Sequence, residues 1–223
     1  QERNAHLDGP PLIVTRTDGA TPFRLVTHIG DVGNTLVVGP IGMGKSVLLA
    51  TLALQFRRYA GSRIFAFDMG RSIRATVLGL GGEHYDLGAD GAIAFQPLAR
   101  IDQDGYRAWA AEWVQGLLIH EGVAVGPDEK EIVWSALNSL ASAPVGQRTL
   151  TGLSVLLQSN ALRQALQPYV LGGAHGKLLD ADHDRLGFAD VQAFEMEELM
   201  HSKAAALAVL RYLFARFEER LDG

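Results

Sequence analysis

Eight consecutive residues, Gly39-Pro40-Ile41-Gly42-Met43-Gly44-Lys45-Ser46, carry the chemistry of this chain. They satisfy G-x-x-x-x-G-K-[ST] at every fixed position, the pattern of a P-loop that wraps nucleotide phosphates. Glycine has no Cβ, so Gly39, Gly42 and Gly44 let the backbone take positive φ and turn its N–H groups inward around an anion. The helix expected next adds partial positive charge where its first N–H groups lack partners. Lys45 is the candidate catalytic residue, a mobile point charge for the β- and γ-phosphates. Ser46 is the candidate metal ligand, its hydroxyl completing the shell of a Mg²⁺ otherwise held by phosphate oxygens and water. The loop implies a nucleoside triphosphate with magnesium. By accident such a pattern recurs in roughly one chain of this length in a hundred, and flanking elements of the right kind make coincidence rarer still.

Those elements are legible on both sides. Apolar Leu36-Val37-Val38 reads as a strand entering the loop, and Val47 to Tyr59 as the helix leaving it, with Leu48, Leu52 and Phe56 at helical spacing. Gly61 breaks that pattern, and Arg63 to Asp68 reads as a second buried strand, completing a βαβ unit. Parallel units of this kind place ligands at the carboxyl ends of their strands, which would bring the loop and Asp68 to one edge. Upstream, Pro11 to Thr17 and Pro22 to His28, separated by Asp18-Gly19-Ala20, read as a hairpin or as two neighbouring strands leading to the loop.

Downstream, Arg71 to Leu78 reads as a short helix and Glu83 to Leu87 as a short strand. A helical block follows, with Tyr106, Trp109, Trp113 and Leu117 on one stripe and Ile132, Ala136 and Leu140 on another. The three tryptophans could stack nucleic-acid bases, but at helical spacing packing is the better reading. Two further short helices fall between Arg148 and Tyr169, a strand at Val191 to Met196, and a helix from Lys203 to Leu221 with Leu207, Leu210, Phe214, Phe217 and Leu221 facing inward. Asp180, Asp182 and Asp184 alternate like a calcium loop, yet Arg185 stands where glycine is needed and Val191 where a glutamate must chelate. They read as a solvated acidic loop.

Composition sets the outer limits. With 223 residues, 48% of them hydrophobic, the chain can bury a sizeable core, and its net charge of -5 argues against gripping nucleic acid by bulk charge. Arg57, Arg58 and Arg63 cluster at the end of the first helix, where cations also suit the helix dipole. Absence of cysteine excludes disulfides and thiolate chemistry. The longest apolar run, Val47 to Leu54, is too short to span a bilayer. The opening Gln-Glu-Arg-Asn-Ala-His resembles no secretion signal and lacks an initiator methionine, as expected of a segment excised from a longer protein.

A P-loop hydrolase also needs a carboxylate at the end of a buried strand to hold magnesium and a base to orient water. Only Asp68 has the preceding apolar run, and Met69 follows it. Either Asp68 is that carboxylate or the acidic strand lies beyond Gly223.

Read in order, the segments resemble the conjugal transfer ATPases of type IV secretion systems, of the TrbE type. The resemblance rests on Asn34-Thr35-Leu36-Val37-Val38 entering the loop, on Phe65-Ala66-Phe67-Asp68 with Arg71-Ser72, and on Gly81-Gly82-Glu83-His84-Tyr85-Asp86-Leu87. It continues through Phe95-Gln96-Pro97-Leu98, Gly176-Lys177-Leu178-Leu179-Asp180 and Phe194-Glu195-Met196-Glu197-Glu198-Leu199, ending on Phe217-Glu218-Glu219-Arg220-Leu221-Asp222-Gly223. It implies an α/β, RecA-like P-loop NTPase with a mostly parallel central sheet flanked by helices. An α/β core at 1–100 and 172–223 would carry a helical subdomain at 101–171, with the N-terminal domain and the acidic Walker B strand outside the chain. It further implies ATP and Mg²⁺ bound by Gly39 to Ser46, a hexamer on the cytoplasmic face of the inner membrane, and other secretion components as partners. The implied activity is ATP hydrolysis energising pilus assembly or substrate transfer by the parent protein. Two rivals stand beside it: a DNA-translocating relative, which the acidic balance disfavours, and a module that keeps the loop without using nucleotide.

Overall fold

A computed structural model describes residues 8–28, 33–88 and 93–221; the opening residues read above for a leader lie outside that range. The chain divides into two compact units, one of Gln1–Tyr85 with Phe188–Glu195, the other of Asp86–Gly187 with Met196–Gly223. The division therefore falls elsewhere than at 101 and 171. The last helix and residues 172–187 group with the helical part, while 188–195 stay with the first unit.

The first unit begins with a hairpin, β1 (Ile13–Arg16) and β2 (Pro22–Leu25), paired antiparallel with Ile13 opposite Leu25. Its turn is closed by Thr17 and Thr21, and Ala20 takes a left-handed φ of 62° there. Next come α1 (Lys45–Phe56), β3 (Ile64–Asp68), α2 (Arg74–Gly79) and β4 (Glu83–Asp86). The sheet takes the order β3-β5-β4, with β5 (Val191–Glu195) in the centre and parallel to β3, Ile64 opposite Val191 and Asp68 opposite Glu195. A central strand is covered on both faces, and every residue of β5 is buried. Phe194 stacks between Phe67 and Tyr85 at 5.5 and 5.3 Å. Buried Gln192 is satisfied by donating to the Glu83 carboxylate at 3.1 Å. Gly82 is required by close approach, since a Cβ there would stand 2.4 Å from the Val191 carbonyl.

Three features of this unit depart from the sequence reading. Leu36–Val38 is not a strand, and Leu36 and Val38 are 87% and 82% exposed. A strand exists only through ladder partners, and no described strand pairs with this segment. The βαβ ladder therefore does not form between it and β3. Nor does α1 bury a residue, despite its apolar sequence. β3 is half-buried rather than fully buried.

The second unit is helical: α3 (Asp104–His120), α4 (Pro127–Ala141), α5 (Leu150–Leu156), α6 (Asn160–Leu166), α7 (Gly176–Leu179) and α8 (Lys203–Leu221). Local chemistry sets the boundaries. Pro127 opens α4 and the Glu129 carboxylate accepts the Gly126 N–H at 2.8 Å. The Thr149 and Ser159 hydroxyls accept from Gly152 and Leu162 N–H at the starts of α5 and α6. Trp113, Tyr169, Tyr212 and Phe95 lie among the fully buried side chains.

The buried face of α8 is a further correction. Leu207, Phe214 and Leu221 are exposed, whereas Ala205, Ala206, Ala208, Val209, Tyr212, Leu213 and Phe217 are buried. Small residues let helix backbones approach closely, and Trp113 of α3 fills the gap, its indole N–H donating to the Ala208 carbonyl at 3.0 Å. Side-chain size alone selects the wrong side. Trp109 and Trp113 pack as expected, but Trp134 is more than one-third exposed beneath the Arg107 guanidinium. The acidic run is not simply solvated. Asp180 accepts Thr151 N–H, Thr151 Oγ1–H and Leu171 N–H, and Asp184 accepts Leu186 N–H and the Tyr212 hydroxyl. Only Asp182 faces water, paired with His183 at 2.5 Å.

Candidate nucleotide-binding site

Of the three glycines expected to take positive φ in residues 39–46, two do so and Gly39 does not. Gly42 and Gly44 have φ of 83° and 80°, in the region where a Cβ is penalised, and no atom lies within 4 Å of where such a Cβ would stand. Gly44 is the N-cap of α1 and supplies no side-chain acceptor. The first N–H groups of the helix thus stay available to an anion at its positive end. The Lys45 ammonium folds back over the loop and donates to the carbonyls of Gly39 and Pro40 at 2.7 and 2.6 Å. Both of these acceptors are backbone dipoles of the loop itself. Pro40, Ile41 and Met43 are exposed, Ile41 completely, so nothing of the described chain fills the approach. Ser46, in the first turn of α1, is exposed as well. These residues fit a polyphosphate. They fit a magnesium ion only as one hydroxyl ligand, since the described residues contain no group of three or more His, Cys, Asp or Glu able to hold a metal.

The carboxylates at the ends of the parallel strands do other work. Asp68 accepts Met69 N–H at 3.0 Å and Ser72 Oγ–H at 2.7 Å on one oxygen, and Ile73 N–H at 2.8 Å on the other. Glu195 is 2% exposed and accepts Gly70 N–H at 3.0 Å and Arg71 N–H at 2.5 Å, one on each oxygen. Sequence reasoning gives Glu195 no role; the signal it offers is a charged residue closing a buried apolar strand. The arginines after α1 are likewise structural. Arg57 donates to the Ser62 carbonyl at 2.6 Å, Arg58 to the carbonyls of Pro11 and Leu12 at 3.0 and 2.8 Å, and Arg63 approaches Asp190 at 4.0 Å.

An α/β unit with parallel strands β3 and β5, and a glycine-rich loop opening α1, defines the class of protein. The fold is shared with the structure of VirB4 of Thermoanaerobacter pseudethanolicus, with a TM-score of 0.69 and 16% identity over 92% of this chain and 63% of that one. No protein-family model matches the chain. In sequence it is 44% identical, over 219 residues and 96% of its length, to a probable conjugal transfer protein TrbE of Sinorhizobium fredii. Conjugal transfer protein TrbE of Rhizobium radiobacter is 43% identical over 222 residues, again 96% of the chain. A type IV secretion system protein virB4 of Bartonella quintana is 27% identical over 220 residues. The chain belongs to the TrbE family of conjugal transfer proteins, related in turn to the virB4 proteins of type IV secretion. It spans about a third of the length of the curated TrbE relatives it matches, 33% and 27%. No helix among the described residues is long and apolar enough to cross a membrane.

Proposed function

We propose that the chain binds Mg·ATP through Gly39 to Ser46 and is the nucleotide-binding part of a RecA-like ATPase that energises conjugation or type IV secretion. The observation that carries this reading is the pair of left-handed glycines, Gly42 and Gly44, set beneath an uncapped helix start with the Lys45 ammonium above them. Kinship with TrbE supplies the transfer context. Lys45 would leave its two carbonyl partners for the β- and γ-phosphate oxygens, which offer a full charge in place of dipoles. Bound magnesium would supply neutralisation of phosphate charge, with Ser46 as its protein ligand.

Turnover further requires an acid to hold the metal and place water. Asp68 and Glu195 are engaged by the N–H groups of residues 69, 70, 71 and 73 and the Ser72 hydroxyl, so the chain supplies binding while the hydrolytic carboxylate comes from another segment or subunit of the parent assembly. That assembly is a hexamer on the cytoplasmic face of the inner membrane, working beside other secretion components. Isothermal titration of Mg·ATP into the chain and into Lys45→Ala tests the reading. Binding by the first, and a loss of about tenfold or more in the second, is expected from removal of a charge-assisted contact. Absence of heat from both would discard nucleotide binding by this segment.

A further inference from the structure

We propose that the outward face of α8 joins two copies of this chain, antiparallel about a two-fold axis close to Phe214. The helix has two apolar faces. One is buried, and the Trp113 indole of α3 donates to the Ala208 carbonyl within it. The other carries Leu207, Phe214 and Leu221 at intervals of seven residues, 49%, 52% and 63% exposed, with Leu210 half-buried beside them. Seven residues are close to two helical turns, so the three side chains form a single stripe along about 21 Å of axis. One exposed leucine needs no explanation. A straight row at heptad spacing is the pattern by which one helix seats another.

Charge beside the stripe says what covers it. Arg211 and Glu218 stand along one flank, roughly 40–60° round the helix from the apolar line. Gly116 of α3 has no side chain to displace the Arg211 guanidinium, which lies over it. Among the described residues neither Arg211 nor Glu218 has an ion pair, whereas Glu219 is taken by Arg100 at 2.5 Å and by Arg216 at 3.4 Å. A second α8 laid face to face and antiparallel brings its own copy of this flank to the same edge. Leu207 then meets Leu221 of the second copy, Phe214 meets its twin, and Arg211 and Glu218 each come opposite the other's opposite charge. A parallel copy would instead turn its Leu210 and Leu213 side to that edge, so charge selects the orientation. A surface complementary to itself in this way is isologous and closes at two copies, separate from the head-to-tail contacts of a ring and independent of nucleotide. Exposed ion pairs give orientation more than affinity, and one short helix a side is smaller than a standard interface. Association is therefore expected with a Kd on the order of 10 µM.

Sedimentation velocity of the whole chain from about 1 to 300 µM tests the pairing, with a melting midpoint taken for every variant. The wild type should pass from monomer to dimer across that range. Phe214→Ser, Arg211→Glu and Glu218→Arg should each weaken the dimer about tenfold or more. Mixed in equal amounts, Arg211→Glu and Glu218→Arg should form a heterodimer at least as tight as the wild type, because each copy then presents one sign of charge to a partner carrying the other. Phe214→Ser and Glu218→Arg lie at exposed positions and keep the test readable if Arg211→Glu lowers the midpoint. A dimer indifferent to Phe214→Ser and to both reversals overturns the pairing, and weakening without rescue on mixing overturns its antiparallel arrangement. A chain monomeric throughout also overturns it, and assigns the stripe to another segment of the parent protein.

Discussion

The helical unit and the unit that carries the glycine-rich loop spend the same kinds of residue in opposite ways. In the first, aromatic and aliphatic side chains vanish from water: Trp113, Tyr169, Phe95, Leu137 and Leu153 are all buried. In the second, Leu36, Val38, Ile41, Met43 and Val47 stand exposed, and α1 buries nothing. Stability in this chain is concentrated where no chemistry is placed. The loop that would do the chemistry is held by backbone geometry and by Lys45, and contributes little to any core. Apolar sequence translates into burial in α3 and fails to do so in α1.

The comparison is broken most severely at Trp113. Trp113→Ala removes a large buried ring and its indole hydrogen bond to the Ala208 carbonyl, and should cost about 3–5 kcal/mol, read as a lower urea midpoint by circular dichroism. An effect under about 1 kcal/mol would mean that the α3–α8 contact does not hold this unit. Asp180 comes next. Its carboxylate ties α5 and the segment before α7 by accepting from Thr151 and Leu171, so Asp180→Ala should cost about 2 kcal/mol and Asp180→Asn, which keeps one acceptor oxygen, roughly half of that. If both were neutral, the three aspartates would after all be a solvated loop.

Whatever depends on local chemistry is legible in the sequence. The hairpin, α3 to α6, β5 and the full extent of α8 follow from periodicity, caps and turn residues, and the loop from its fixed glycines. What stays hidden depends on partners far along the chain. Leu36–Val38 has strand composition but no described ladder partner, and α8 turns its alanines inward because close helix approach outweighs the larger leucines and phenylalanines. Glu195 is hidden for the same reason: its task is to accept the N–H groups of residues 124 and 125 positions away.

Lys45→Ala sharpens the comparison from the other side. The ammonium's partners are two exposed carbonyls that water can serve equally well, so the unfolding free energy should move by less than about 0.5 kcal/mol even as Mg·ATP binding is lost. Ile41→Ser, at a fully exposed position, should be just as neutral. A loss above about 1 kcal/mol in either variant would place the loop inside a packed structure and erase the distinction drawn between the units.

The smallest effect is a pH dependence confined to the helical unit. Burial holds the His175 imidazole below its ordinary range, against the opposing pull of Glu121, which itself accepts the Tyr169 hydroxyl at 2.7 Å. The ring lies against Tyr169 and shares a hydrogen bond of 3.3 Å with Ser202, whose hydroxyl also accepts the Ala205 N–H at the start of α8. A base whose folded pKa is lowered binds its proton first in the unfolded state, so acidification favours unfolding. The stability that His175 contributes as a neutral ring is therefore present above its ordinary value near 6.5 and is lost as pH falls from there through the folded pKa. Urea midpoints taken between about pH 7.5 and 5 should fall more steeply for the wild type than for His175→Gln, with the first turn of α8 losing amide protection in step. Parallel slopes for the two proteins would show that the imidazole titrates alike in both states, and that the start of α8 is capped by Ser202 without its help.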